Sequence, residues 1–236
     1  MSIENNTFCW TGITTDIHSA KGFYAAVLGW NMVDSPDGTV CIAPGGAVAH
    51  LQAPGEGPNS WCTFLAVDDL DARTARAGEQ GSILIPPTAL TAGRFSVVST
   101  PSGAVFALYD ATEADELAKP GPGSLQWLEL QSTDPKADLS WMASVFGFTH
   151  STQQTPQGLY HTLEAQGSVR GGVTASQSGQ SFFFSRVQVQ DVDATLDQVT
   201  EHGGQILSAA VSTPSHGRMA TVSDPSGAVF GLIQPS

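Results

Sequence analysis

The sequence predicts an α+β fold of four β-α-β-β-β modules arranged as two tandem halves, and three observations predict it. First, Pro101-Ser-Gly-Ala-Val-Phe-Ala-Leu108 returns 124 positions later as Pro225-Ser-Gly-Ala-Val-Phe-Gly-Leu232. Second, other segments fall in step: Phe23-Tyr-Ala-Ala-Val-Leu-Gly-Trp30 with Trp141-Met-Ala-Ser-Val-Phe-Gly-Phe148, and Val67-Asp-Asp-Leu-Asp-Ala72 with Val189-Gln-Asp-Val-Asp-Ala194. A period above 100 residues means tandem domains and not a solenoid. Third, a weaker repeat runs inside each half, where a strand, a capped helix and three short strands follow one another twice.

Residues 8–14 read as a short apolar strand. Asp16 caps a helix in which Ile17, Ala20, Phe23, Tyr24, Val27 and Leu28 recur at helical spacing until Gly29 stops it. Short strands broken by Pro36-Asp37-Gly38 and Gly45-Gly46 run to about residue 53. Trp61 to Val67 restarts the cycle, a helix opens at Asp68 or Asp69 and stops near Gly81, and strands are expected around 82–86, 94–100 and 104–109. The stretch 111–124 lacks strand character and ends in alternating Pro and Gly, the mark of a surface linker between halves 1–110 and 125–236. In the second half 125–147 repeats the first strand and helix, with Asp134-Pro135 as cap and first-turn proline. Segments 182–189, 192–202, 204–209, 217–223 and 228–234 complete it.

The chain has 236 residues, a net charge of −13 and only nine Lys and Arg. That leaves no basic stripe to neutralise phosphates, which argues against nucleic acid and anionic membrane surfaces as partners. The three cysteines, Cys9, Cys41 and Cys62, have no CxxC spacing, so a disulfide framework or zinc ribbon is not expected. Residues 1–8 carry no basic and apolar leader pattern, and no uninterrupted run of 18 apolar residues occurs. The expectation is a soluble cytoplasmic protein, monomeric or homodimeric.

Asp224-Pro-Ser-Gly-Ala-Val-Phe-Gly-Leu232 before the last strand, and Trp127-Leu-Glu-Leu-Gln-Ser-Thr-Asp134 opening the second half, resemble the vicinal oxygen chelate superfamily. That group includes glyoxalase I, the bleomycin-resistance proteins and the extradiol dioxygenases, and the chain looks most like its two-domain bacterial glyoxalase-like members. The resemblance implies two tandem glyoxalase-like domains, with sheets curled into cups, helices outside and ligand or metal inside. It leaves the activity open between isomerisation, ring cleavage, epoxide opening and sequestration.

Strand alternation assigns the cup faces. Trp127, Glu129 and Gln131 share one, as do Phe184, Arg186 and Gln188; Arg170, Gly172 and Thr174 share another. The resemblance places metal-ligand positions of the second half at Trp127, Gly172, Phe184 and Gly231, none of which can ligate through its side chain. In the first half the positions are Trp10 or Cys9, then His50, Cys62 and Ala107. Counting back from the helix selects Cys9, whereas matching the tryptophans selects Trp10. Cys9, His50 and Cys62 would make a three-ligand zinc set, against which stands the ordinary behaviour of a strand cysteine as a small buried hydrophobe. Trp10 and Trp127 could stack on a planar ligand or merely pack. Glu129 and Arg186 could pair internally, or serve as base and as partner of a carboxylate or enolate. Tyr160 and His161 are further pocket candidates, and Arg94 and Arg218 read as structural.

The expected protein is therefore a metal-independent, cofactor-free binder of a small organic molecule, with lyase or isomerase activity open. Glu129 and Arg186 are its catalytic candidates, and Trp10, His50, Cys62, Trp127, Phe184 and Gln188 its ligand-binding ones. Two alternatives stand beside it: a metal-dependent enzyme using His50 with Cys62, Cys9 or both, and a structural module whose cups are filled by their own side chains.

Overall fold

The computed structural model describes residues 4–36, 38–55, 57–90, 93–110, 118–213 and 217–236, the side chain of Leu90 excepted. The first module comprises β1 (Phe8–Thr14), α1 (Ile17–Leu28), β2 (Asn31–Ser35), β3 (Gly38–Ala43) and β4 (Gly46–Gln52). The second comprises β5 (Ser60–Val67), α2 (Leu70–Ala77), β6 (Ser82–Leu90), β7 (Gly93–Ser99) and β8 (Val105–Asp110). The third contains β9 (Leu125–Ser132), α3 (Pro135–Phe146), β10 (Thr149–Thr155), β11 (Gly158–Ala165) and β12 (Ser168–Ala175). The fourth contains β13 (Phe182–Gln188), α4 (Val192–Glu201), β14 (Gln205–Thr213), β15 (Gly217–Ser223) and β16 (Val229–Gln234). Each half supplies one eight-stranded mixed sheet, ordered β2-β3-β4-β1-β5-β8-β7-β6 and β10-β11-β12-β9-β13-β16-β15-β14. The α+β fold and the duplication are as the repeats predict.

All four helices start at an aspartate, Asp16, Asp69, Asp134 and Asp191, whose carboxylate accepts from first-turn amides. α1 and α3 stop at Gly29 (φ 68°) and Gly147 (φ 77°), in the left-handed region that glycine tolerates. In each module the first strand pairs in parallel with the last, β1 with β4, β5 with β8, β9 with β12 and β13 with β16. Hairpins fill the interval between them.

The chain forms two compact bodies. One contains Met1–Cys9, Thr63–Glu116 and Trp127–Phe184. Its core gathers Leu65, Leu70 and Phe106 with Leu130, Trp141 and Phe146. There the α2 arginines cap the end of α3: Arg73 Nη1 donates to Val145 O at 2.6 Å and Arg76 Nη2 to Ser144 O at 2.5 Å, satisfying carbonyls a helix end leaves open. Asp138, fully buried on α3, accepts from Ser102 N (3.1 Å), Ser102 Oγ (2.5 Å) and Ser132 Oγ (2.6 Å), so the Pro101-Ser102-Gly103 turn is held by a helix.

The other body contains Trp10–Cys62, Leu117–Gln126 and Ser185–Ser236. Trp61 stacks on Phe230 with centroids 4.7 Å apart, and its Nε1 donates to Tyr24 OH at 3.1 Å. Tyr24 OH in turn donates to Asp224 Oδ2 (3.0 Å), which also accepts from Thr15 Oγ1 (2.7 Å). Burial first, and then the Asp224 charge, hold the Tyr24 phenol well above its ordinary pKa. Residues 111–117 of the expected linker lie outside the described residues. The remainder is tied down and not merely draped over the surface. Lys119 N donates to Gly45 O (3.0 Å), Trp30 Nε1 to Gly123 O (2.8 Å), and Gln188 N to Ser124 O (2.9 Å). Its glycines and carbonyls supply backbone partners that a surface linker would have left to water.

Candidate functional site

Register fixes which side chains share a helix-free sheet face. In the first module Gly12 pairs with His50, and His50 with Val40. In the third, Glu129 pairs with Gly172, and Gly172 with Thr162. Gly12 and Glu129 thus hold the same position, which superposes Trp10 on Trp127 and settles the choice left open by counting. Cys9 consequently points away from the face that carries Trp10 and His50. Its Sγ donates to Phe64 O at 3.5 Å, and burial pushes its thiol up to about 12. The three-ligand set built on Cys9 is corrected on this ground, because alternation turns that thiol to the opposite side. Cys62 stays half-buried on β5.

On the third module, Trp127 Nε1 donates to Tyr160 OH at 3.0 Å. Tyr160 lies across Gly172, where any Cβ would collide with its ring. Beside them Gln131 Nε2 donates to Glu129 Oε1 at 3.2 Å, and Glu129 is 9 % exposed. Arg170 is held by Glu4 through a 2.6 Å ion pair. Trp10 and Trp127 are half-buried, whereas Trp30, Trp61 and Trp141 are buried in cores. Phe184 is buried on β13; Arg186, two residues on and in register with Gly231, is half-buried, as is Gln188. His50 lies over Gly38, which has no side chain to obstruct it. Tyr160 and His161 point to opposite sides of β11, so only Tyr160 belongs to this face.

On the second module strand alternation already puts Phe64 on the face of Cys62, but sequence reasoning missed the two rings beside it, Phe95 and Tyr109. Phe64, Phe95 and Tyr109 are all half-buried, with Phe64 centroids 6.1 Å from Phe95 and 6.5 Å from Tyr109. Tyr109 shares the face of Ala107 by simple alternation, a signal present in the sequence; Phe95 joins them only through the hairpin register that pairs it with Tyr109. Arg94 and Arg218, by contrast, are structural as expected. They grip Asp71 and Asp193 of the helix starts with two bonds each, at 3.0 and 2.7 Å, and hold those carboxylates below their usual range.

Across the four parallel pairs the central registered residues are Gly12 with His50, Phe64 with Ala107, Glu129 with Gly172, and Arg186 with Gly231. Every pair has a glycine or alanine on one side, so no two coordinating side chains face each other there. Among the described residues no group of three or more His, Cys, Asp or Glu could hold a metal ion.

Sequence profiles decide the family. The glyoxalase/bleomycin resistance protein/dioxygenase superfamily profile matches residues 124–232, and a glyoxalase-like domain profile matches 8–109. The chain belongs to this superfamily. Among its members, CFP32 of Mycobacterium tuberculosis, provisionally named as a glyoxylase, is 32% identical over 243 residues, covering 94% of this chain and 92% of that protein. The anthracycline biosynthesis protein DauV of Streptomyces sp. is 29% identical over 249 residues, covering 93% and 89%. The Mn(II)-bound glyoxalase from Novosphingobium aromaticivorans shares the fold with a TM-score of 0.71 at 16% identity, over 99% of this chain and 82% of that one. The 2,3-dioxygenase LapB from Pseudomonas sp. KL28 does so with a TM-score of 0.68 at 13% identity, over 100% and 93%. Two tandem glyoxalase-like domains of the vicinal oxygen chelate fold account for both sheets.

Proposed function

We propose that this superfamily member binds a small, planar, oxygenated organic molecule on the helix-free faces of its sheets, without a metal held by those faces. The observation that carries the reading is the glycine or alanine at one side of every central pair, combined with half-exposed aromatic side chains around them. Where metal-dependent relatives need opposed ligands, this chain offers ring surface and space. In one body Trp127 and Tyr160 form a joined aromatic edge with Glu129 as acceptor or base beside it; in the other, Arg186 on β13 supplies a planar donor fork for a carboxylate or enolate. Phe184 completes the proposed contacts of the first of these bodies, and Trp10, His50, Cys62 and Gln188 those of the second.

The test is recovery of ligand from purified protein by denaturing extraction and mass spectrometry, followed by titration of the apoprotein with and without a chelator. We expect binding that chelator leaves intact and that Arg186→Ala weakens by about 2–5 kcal/mol for an anionic ligand. Recovery of the added ligand unchanged identifies sequestration, and its conversion identifies lyase or isomerase activity. Loss of binding in chelator, together with a stoichiometric ion that disappears in His50→Ala, overturns the metal-independent reading.

A further inference from the structure

On the helix side of the third module a cleft of about 530 Å³ opens between the first turn of α3 and the β10–β12 hairpins, lined by Pro135, Lys136, Leu139, His150, Leu159 and His161. His150 and His161 stand on neighbouring antiparallel strands, on the face opposite Tyr160. Their ring centroids are 5.7 Å apart and their planes cross at 79°. Two imidazoles sharing one tetrahedral ion at metal–nitrogen distances of about 2.0–2.1 Å have centroids roughly 5 Å apart, close to the spacing of this pair. Thr152, directly paired with His161, shares a 2.9 Å hydrogen bond with its Nδ1. When that hydroxyl accepts from Nδ1–H, the Nε2 lone pair is left for a ligand and the ring is held in place, the usual outer support of a metal-binding histidine. The scaffold does not require the pair. The matching positions of the first module are Met32, packed against the core, and Thr39, bonded to Asp34.

We propose that His150 and His161 form a two-imidazole site for a divalent transition ion of the Cu²⁺, Ni²⁺ or Zn²⁺ class, with solvent completing the coordination. Neutral imidazole suits these ions, whereas Mg²⁺ and Ca²⁺ require oxygen ligands that the pair does not offer. The site is independent of the helix-free faces and of the function proposed for them.

Calorimetric titration of the intact chain with Ni²⁺ and Zn²⁺ tests it. The expected result is one saturable site per chain, with Cu²⁺ tighter than either and Mg²⁺ unable to compete at equal concentration. His150→Ala and His161→Ala should each weaken binding by roughly tenfold or more, Thr152→Val should weaken it by about tenfold, and His50→Ala should leave it unchanged. Both histidines are at least partly exposed, so neither variant threatens folding. Ion binding that survives in both histidine variants, that is lost in His50→Ala, or that Mg²⁺ displaces, overturns the proposal.

Discussion

Burial separates the three thiols. Cys9 and Cys41 are buried, and desolvation pushes each up to about 12, while Cys62 is half-buried on β5. A thiolate is the nucleophile, so raising the pKa that far leaves almost none near neutral pH. At pH 8 a thiol-reactive disulfide should therefore label one thiol of the native chain quickly and the other two only after denaturation. Persistence of the fast phase in Cys62→Ser would contradict this. Much at this scale was legible in the sequence. The aspartate caps Asp16 and Asp134 could be read from spacing, because capping depends on local order along the chain; the tryptophan register could not, since counting from the helix selected Cys9. The Trp127–Tyr160 bond and the Arg170–Glu4 pair could not, since each depends on side-chain reach between segments whose register is set by the whole sheet.

Among the elements, the repeated Pro-Ser-Gly turn shows how duplicated parts diverge while keeping one task. In the last module Asp224 precedes the turn and accepts from Ser226 N and Ala228 N at 2.9 Å, as well as from Thr15 and Tyr24. The matching residue before the first turn is Thr100, and the carboxylate there comes instead from Asp138 on α3, at the position that Ala20 occupies on α1. The charge has moved from turn to helix, and each core still has one. Asp224→Ala should strand two hydroxyls and two amides, costing about 3 kcal/mol and lowering Tm by roughly 6–12 °C. Thermal unfolding would check it, and a shift under 2 °C, about 1 kcal/mol or less, would show the network to be dispensable. The turn motif itself was plain in the sequence, but the exchange of carboxylates was hidden because it joins residues far apart in the chain. Strand ends were also harder to read than strand existence. The strand expected around 82–86 runs on through Pro86-Pro87 as β6, from Ser82 to Leu90, at the end of its sheet, where a missing N–H costs little.

For the molecule as a whole, order in sequence and order in the cores are different things. One core joins Ile13 to Trp61 with Val187 to Leu232, and the other joins Leu65 to Leu108 with Leu128 to Phe183. The repeat made two halves legible, and both sheets follow that division, but the compact bodies do not. Hydrophobic periodicity tells a helix to bury a face without saying against which partner. Fragments 1–110 and 125–236, cut at the proposed linker, should each lack a complete core, bind a hydrophobic dye and unfold without a sharp transition. Mixed together they should regain cooperative unfolding. A monomeric 1–110 fragment with native-like near-ultraviolet dichroism would refute this.

The contact of Phe23 with Phe230, 6.3 Å between centroids, also sets a schedule for birth on the ribosome. At roughly 5–20 residues per second, on the order of 10–40 s separate the synthesis of these two rings. Through that interval the apolar stripe of α1, with Phe23, Tyr24 and Val27, must remain without its final covering, and the nascent chain is a client for whatever holds exposed hydrophobic helices in the cell. Slowing translation of the second half should lengthen that exposure, whereas supplying the second half as a separate chain in advance should shorten it.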